Sequence, residues 1–307
     1  MRPLHHSAAL ILSLVLSLVL LTGANALASL DAYFISTVKL AAAAGTVKIV
    51  DVRAMPLYLA GHIEGAVHLD RVGFLDTRRG VKSLIPTVPQ IEKLLDSLGI
   101  SDDDTVVAYA DHGNPYAARL VWTLRFHGHE KSYALDGGYE KWAAEGRGTA
   151  MLPTFPQGTE GYTVRYHQDL RADKDEIYAT LGTPAVAVWD TRSSGEYTGT
   201  DVRADRGGHI PTAIHLDWRE LQEEVDGVRV LKSEDQIRAL LAARGLTPER
   251  RVIAHCQTGI RSAYATLVLA GLGYPHPKNY DGSWIEWANE PSLPVQVGPE
   301  PGDIPRT

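Results

Sequence analysis

The chain contains a single cysteine, Cys256, in a short polar loop between two apolar runs. The surrounding sequence reads VIAHCQTGIRSAY over residues 252–264. The pattern predicts a buried strand that ends at VIAH, a turn at QTGI and a helix that continues from Arg261. A thiol at such a point can act as a nucleophile, because loop N–H groups and the positive end of a helix stabilise a thiolate and lower its pKa.

The residues that follow Cys256 complete the candidate site. Glycine at position 259 is free to take a left-handed conformation in the turn. Arg261 adds a fixed positive charge and two-pronged hydrogen bonding suited to an oxyanion. We therefore predict an exposed thiolate at Cys256 as the catalytic group. The predicted substrate-binding residues of the loop are Gln257, Thr258, Gly259, Ile260 and Arg261.

The elements that must position this loop occur twice in the chain. The matching segments are IVDVR (49–53) with VWDTR (188–192), GHIEGAVHLD (61–70) with GHIPTAIHLD (208–217), and DGGYEKW (136–142) with DGSWIEW (281–287). Their spacing agrees apart from an eight-residue insertion, which falls in YTGTDVRADRGG of the second half. The alignment places Asp111 opposite Cys256, so the first half has no nucleophile.

Each half alternates strands and helices. Thr87 and Ser233 are each followed three residues later by glutamine, which predicts a capping box at the start of a helix in both halves. Strands and helices that alternate at this spacing indicate an α/β protein with parallel sheets covered on both faces. Ligands bind such sheets beyond the carboxyl ends of the strands, which is where Cys256 lies.

Three further residues are candidates for supporting roles. Asp190 and Arg192 follow the first strand of the second half and should lie beside the cysteine loop. Arg192 either binds substrate or pairs with Asp190. Tyr116, from the first half, either reaches across to wall the pocket or is an ordinary interface residue.

Composition excludes several classes of partner and ligand. The chain is 44% hydrophobic and 22% charged, with a formal net charge of −7 and no basic block. Neither a nucleic-acid groove nor a polybasic membrane face is indicated, and the expected partner is a small molecule. His127 and His129 flank a glycine without a third ligand nearby, so no metal site is predicted.

The first residues resemble a secretory signal. Arg2 precedes an apolar run over residues 8–21, and the small residues of TGANALAS follow. We predict a signal peptide over residues 1–28, export to the periplasm or the exterior, and no stable membrane association after cleavage. The alternative is an uncleaved membrane anchor. In an oxidising compartment a lone cysteine cannot pair within its own chain, so it is either a buried bystander or a working thiol.

Taken together, the motifs resemble a tandem-domain rhodanese, a sulfurtransferase family. They are DTRSSGEY from Asp190, GHIPTAIHLDW, the six-residue loop CQTGIR, and YDGSWIEW. The resemblance implies two rhodanese-like domains, each a five-stranded parallel sheet flanked by helices, with a catalytically inactive first domain. The boundaries predicted are 29–148 for the inactive domain, 149–164 for a linker, 165–297 for the catalytic domain and 298–307 for a C-terminal tail.

The resemblance also implies a reaction. Cys256 would take the outer sulfur of thiosulfate as a persulfide and pass it to a thiol or cyanide, without cofactor, in a monomer. In some two-domain relatives the position of Glu196 is a substrate-binding arginine, and a glutamate cannot make that contact with an anion.

Three other functions of the cysteine loop stay open. 3-Mercaptopyruvate is the alternative sulfur donor, although its enzymes carry Cys-Gly-Ser-Gly-Val-Thr loops that CQTGIR lacks. A Cys-dependent phosphatase or arsenate reductase would need arginine at position 262, where the chain has Ser262. The noncatalytic alternative is a sulfur-carrier or partner-docking module, and docking alone would not require an intact cysteine loop.

Overall fold

The computed structural model describes residues 28–111 and 113–303. The strands of the first half are β1 (Phe34–Ile35), β2 (Lys48–Asp51), β3 (His62–Ile63), β4 (Val67–His68), β5 (Asp76–Arg78), β6 (Val81–Leu84), β7 (Val106–Tyr109), β8 (Ser132–Leu135) and β9 (Thr149–Ala150). Its helices are α1 (Thr37–Ala42), α2 (Met55–Ala60), α3 (Val88–Ser97), α4 (Tyr116–Phe126) and α5 (Gly138–Ala144).

The second half repeats this series. Its strands are β10 (Arg171–Ala172), β11 (Val186–Asp190), β12 (Ile214–His215), β13 (Gln222–Val225), β14 (Val228–Leu231), β15 (Arg251–His255) and β16 (Lys278–Tyr280). Its helices are α6 (Lys174–Thr180), α7 (Ser194–Thr198), α8 (Glu234–Ala243), α9 (Ile260–Gly271) and α10 (Ser283–Ala288). Short 3-10 turns cover Leu30–Ala32, Gln168–Leu170 and Trp218–Leu221.

A five-stranded parallel sheet forms the centre of each half. The strand orders are β1-β8-β7-β2-β4 and β10-β16-β15-β11-β12, so the two sheets have the same topology. Strand β7 is buried throughout, as is β15 apart from its first residue, because helices cover both faces of a parallel sheet. The α/β prediction, with a five-stranded parallel sheet flanked by helices in each half, is confirmed.

The two halves pack against each other through helices α4 and α9. Helix α9 is buried along most of its length, which explains its nearly continuous apolar sequence. The ring of Tyr264 on α9 packs edge-on against Phe34 of the first half and Trp218 of the second, each 5.3 Å away between ring centroids. One core cluster therefore runs through both halves.

Each half has one hairpin that contacts the other half, β5–β6 in the first and β13–β14 in the second. The sequence did not predict either hairpin. Just after hairpin β5–β6, the backbone N–H of Ile85 donates to Asp281 Oδ2 at 3.0 Å. At the end of hairpin β13–β14, the N–H of Leu231 donates to Asp136 Oδ1 at 2.9 Å. Asp136 and Asp281 occupy matching positions in the repeat, so the exchange between the halves is reciprocal.

The two ends of the chain lie partly beyond the described residues. The predicted signal peptide, apart from Ala28, lies outside them, and so do the last four residues of the predicted tail. Across residues 28–111 and 113–303, no helix is both long enough and apolar enough to cross a bilayer.

Candidate active site

Cys256 lies directly after strand β15, at the carboxyl edge of the second sheet. Its backbone N–H donates to Ser283 Oγ at 3.2 Å, and its carbonyl accepts from the N–H of Trp284 at 2.9 Å. The carbonyl of Gln257 accepts from the N–H of Ile285 at 3.0 Å. These bonds attach the start of the loop to the beginning of helix α10.

Gly259 closes the loop and begins helix α9. Its φ is 75°, and a Cβ at this position would lie 2.6 Å from the carbonyl oxygen of Asp281. Glycine is therefore required here both by the backbone conformation and by the close approach of Asp281. The Gly259 carbonyl accepts two side-chain hydrogen bonds at 3.0 Å, from Asn279 Nδ2 and from Arg119 Nη1.

The loop encloses the sulfur with polar groups. Burial of the Cys256 thiol raises its pKa, but the Arg261 charge, the N–H and hydroxyl of Ser262 and the N–H of Thr258 together hold that pKa below its ordinary value. Backbone amides are therefore directed at the sulfur, as predicted. Thr258 provides one of these donors through its backbone.

The expected exposure of the thiolate is wrong. Cys256 is only 1% exposed, although it is flanked in sequence by polar residues. The loop that lowers the pKa of Cys256 also buries it, because a loop whose amides point inward covers the sulfur atom at its centre. The partly exposed residues of the loop are Gln257, Thr258 and Arg261.

Arg261 and Glu196 form a bidentate ion pair. Nη1 and Nη2 of the arginine each lie 2.7 Å from a carboxylate oxygen of the glutamate. Burial alone would raise the pKa of Glu196. The hydrogen bonds from Arg261 and its charge outweigh burial and lower that pKa to about 2. Glu196 is the residue that sequence reasoning set aside as unable to bind an anion, and the structure assigns it to holding Arg261.

Asp190 and Arg192 lie together beside the loop, as expected. Nε and Nη2 of Arg192 donate to the Asp190 carboxylate at 2.6–3.1 Å, and Nη2 also donates to the Gly208 carbonyl at 2.7 Å. Both side chains are at most 1% exposed. Of the two roles predicted for Arg192, the structure contains the pairing with Asp190, and substrate binding stays a prediction.

The remaining predicted site residues are Ile260 and Tyr116. Ile260 is the first residue of helix α9 and is buried. Tyr116 begins helix α4 in the first half, where its ring centroid lies 5.6 Å from the guanidinium of Arg71. Tyr116 occupies the repeat position that Arg261 holds in the second half. Its predicted role in walling the pocket stays a prediction.

Sequence reasoning missed Arg119, the residue through which the first half contacts the cysteine loop. Besides Gly259, its guanidinium binds Asp281 Oδ1 at 2.7 Å and the Ser83 carbonyl at 2.8 Å, and its side chain is fully buried. A signal was available, because Arg119 is the only charged residue in the stretch YAARLVW at the start of α4. A buried cation on such a helix must find partners.

His255, the residue before Cys256, is a third polar group buried at this edge. Its Nε2 lies 3.5 Å from Asp190 Oδ2. Burial lowers the pKa of His255 to about 4, although the charge of Asp190 opposes this shift. The imidazole is therefore neutral at neutral pH. Among the described residues, no group of three or more His, Cys, Asp or Glu side chains is arranged to hold a metal ion.

The buried imidazole predicts a loss of stability in acid. Because the folded protein resists protonation of His255 and the unfolded chain does not, stability falls as the pH drops from about 6.5 toward 4. The full shift corresponds to roughly 3 kcal/mol in the free energy of unfolding. Denaturant unfolding at pH 7 and at pH 4.5 measures this loss of stability. Relative to its own value at pH 7, His255→Gln should lose less stability than the wild type, and equal losses would contradict the assignment.

The first half carries an incomplete version of the site. Asp111 takes the place of the cysteine after strand β7. Burial, together with the charge of Glu140, raises the pKa of the Asp111 carboxyl. A carboxylate at this position cannot form a persulfide, so the chemistry that depends on a thiol is confined to the second half.

Comparisons with known proteins match both halves of the chain to one domain family. The family model described as the rhodanese-like domain matches residues 36–145 and 173–290. The thiosulfate sulfurtransferase of Pseudomonas aeruginosa is 35% identical over 249 residues, which cover 81% of this chain and 90% of that protein. The sulfur carrier protein TtuD of Thermus thermophilus is 36% identical over 259 residues, covering 80% of this chain and 88% of its own.

The solved structures show the same fold. A variant of EanB in complex with ergothioneine has a TM-score of 0.79 and 21% sequence identity, covering 89% of this chain and 72% of that one. YnjE has a TM-score of 0.73 and 24% identity, covering 84% of this chain and 64% of that one. With a matching domain in each half and these relatives along most of its length, the chain belongs to the rhodanese family of sulfurtransferases.

Proposed function

We propose that the protein is a thiosulfate sulfurtransferase that carries sulfur as a persulfide on Cys256. The observation that carries the proposal is the thiol of lowered pKa, surrounded by loop amides at the carboxyl edge of the second sheet. A thiolate is a good nucleophile for a polarisable sulfur atom, and the amides stabilise negative charge on sulfur throughout the reaction. The identity to a thiosulfate sulfurtransferase over most of both chains supports the choice of donor.

The reaction has two displacements. In the first, the Cys256 thiolate attacks the outer sulfur of thiosulfate, the sulfur–sulfur bond of the donor breaks, and its electron pair leaves with sulfite. In the second, a thiolate or cyanide attacks the terminal sulfur of the persulfide. The persulfide bond breaks and its electron pair returns to Cys256 as thiolate. No net oxidant or reductant is needed, because sulfane sulfur moves between two nucleophiles.

A sulfur-carrier role is the second candidate. The similarity to the carrier protein TtuD, at 36% identity, supports this role. A carrier forms the persulfide in the same way but passes the sulfur to a partner protein rather than to a small molecule. Phosphate chemistry has less support, because both terminal nitrogens of Arg261 bind Glu196.

Parallel turnover assays of the full chain test these candidates. The donors are thiosulfate, 3-mercaptopyruvate and an aryl phosphate, with cyanide or a small thiol as acceptor for the first two. We expect release of sulfite from thiosulfate, slower turnover of mercaptopyruvate and no hydrolysis of the phosphate. A persulfide that forms with thiosulfate but is not discharged by either acceptor would favour the carrier. Preferred turnover of mercaptopyruvate would replace thiosulfate as the donor.

A further inference from the structure

Arg261 and Arg192, the two arginines predicted to bind substrate, have no free charge to offer an anion. Arg261 is neutralised by the bidentate contact with Glu196, whose pKa of about 2 keeps it ionised. Arg192 is neutralised by Asp190, and the burial of that pair closes it to solvent. A donor such as thiosulfate carries two negative charges, so its binding requires a cation that these pairs do not provide.

Arg203 is an exposed arginine at the same edge, and its ion pair lies in solvent. It lies in the insertion that only the second half carries, and its side chain is 52% exposed. Its Nη1 is 3.7 Å from Glu196 Oε1, so the guanidinium extends the network that begins at Arg261. Its Nη2 is 2.5 Å from Asp201 Oδ2.

The backbone of Arg203 is attached to the loop itself. The carbonyl of Arg203 accepts a hydrogen bond of 2.9 Å from Nε2 of Gln257, the residue after the nucleophile. This bond places the insertion over the loop without using the side chain of Arg203. A substitution at position 203 can therefore remove the guanidinium and leave the attachment in place.

We propose that Arg203 is a substrate-binding residue that recognises the sulfonate end of the anionic sulfur donor; the proposal rests on the proposed function. The guanidinium binds the sulfonate oxygens while the outer sulfur is directed toward Cys256. Asp201 competes with the donor for the same guanidinium. The Arg203–Asp201 pair is 52% and 42% exposed, so an anionic donor can displace Asp201 there, whereas the carboxylates that hold Arg261 and Arg192 are buried.

The two members of this pair have opposite expected effects. Arg203→Gln should raise the KM for thiosulfate roughly three- to fivefold with little change in kcat. An effect of this size is expected for a solvent-exposed ion pair between protein and substrate. Asp201→Asn should lower that KM, because the guanidinium loses its competitor. Both effects should shrink as the salt concentration rises, since salt screens exposed charges.

A matched pair elsewhere in the same domain provides the control. Arg219 is 60% exposed, and its Nη1 lies 3.9 Å from Oδ2 of Asp217, two residues before it, which is the same sequence spacing as between Arg203 and Asp201. Arg219→Gln and Asp217→Asn change the net charge of the protein by the same amounts. We expect both control variants to keep the wild-type KM.

The experiment measures sulfite release from thiosulfate by the wild type and the four variants at low and at moderate salt. Opposite shifts in KM for Arg203→Gln and Asp201→Asn, with unchanged controls, support the proposal. An unchanged KM in Arg203→Gln overturns it, and so does an equal rise in Arg219→Gln, which would indicate net charge alone. If the wild type releases no sulfite, the proposed function itself fails; if it does, only the role of Arg203 is in question.

Discussion

The Cys256→Ala variant should release no sulfite from thiosulfate, with a rate at least about 10³-fold below that of the wild type. The reason is that both displacements pass through the sulfur of this residue, and no other thiol exists in the chain. Wild-type protein incubated with thiosulfate should gain the mass of one sulfur atom, and the variant should not. Sulfite assays and intact-protein mass spectrometry measure the two effects.

Stability is the control for this variant. Cys256 is buried, so its replacement by alanine removes one enclosed sulfur atom. We expect the free energy of unfolding to change by no more than about 1–2 kcal/mol. Undiminished turnover in a folded Cys256→Ala protein would reject the persulfide mechanism. If Cys256→Ala loses both turnover and folding, Cys256→Ser is measured instead, because serine keeps a polar atom of similar size. A folded Cys256→Ser protein without turnover would then show that the thiol itself is needed.

The repeat explains why so much of the fold could be predicted from sequence. Capping residues such as Ser233 act on the adjacent turn: Gln236 Oε1 accepts from the N–H of Ser233 at 2.9 Å, and the predicted capping box forms at the start of α8. Buried strands such as β15 are recognisable because both faces of a parallel sheet are apolar. The loop that follows a strand lies at the carboxyl edge by topology, so Cys256 could be placed there without coordinates.

The parts that escaped prediction depend on contacts between distant residues. The pair between Glu196 and Arg261 joins positions 65 apart, and no sequence pattern indicates that the glutamate binds that arginine rather than solvent. The burial of Cys256 likewise follows from the three-dimensional path of its loop and not from the polarity of its neighbours. Sequence reasoning therefore placed Cys256 at the sheet edge but assigned it an exposed thiol and an unpaired Arg261, and the structure has neither.

Docking of the first half, which lacks a cysteine, was the least predictable feature. The contact of Asp281 with Ile85 joins residues 196 apart and forms only when the two halves are assembled. Its matching contact, of Asp136 with Leu231, has no catalytic residue nearby to mark it. The same assembly brings Arg119 onto the cysteine loop, which gives the first half a role in a site whose nucleophile it lacks.

Replacing Arg119 with methionine should damage both stability and catalysis. The substitution leaves the buried carboxylate of Asp281 without its closest cation, which costs roughly 3–5 kcal/mol for a buried pair. The Gly259 carbonyl also loses one of its two side-chain donors, so the loop amides are held less firmly around Cys256. We expect the pKa of Cys256 to rise and kcat/KM for thiosulfate to fall by about tenfold or more.

The pH dependence of Cys256 alkylation separates positioning from mere destabilisation. Arg125→Met is the matched control, because Arg125 is a buried arginine on the same helix that donates to the Ser132 and Ala32 carbonyls of the first half. That variant should be less stable than the wild type but should alkylate with an unchanged pH profile. In Arg119→Met combined with Asp281→Asn, part of the stability should return, since the buried carboxylate is gone, while the raised pKa of Cys256 persists. A wild-type alkylation profile in folded Arg119→Met would show that the first half supports the fold of the loop but not the ionisation of its cysteine.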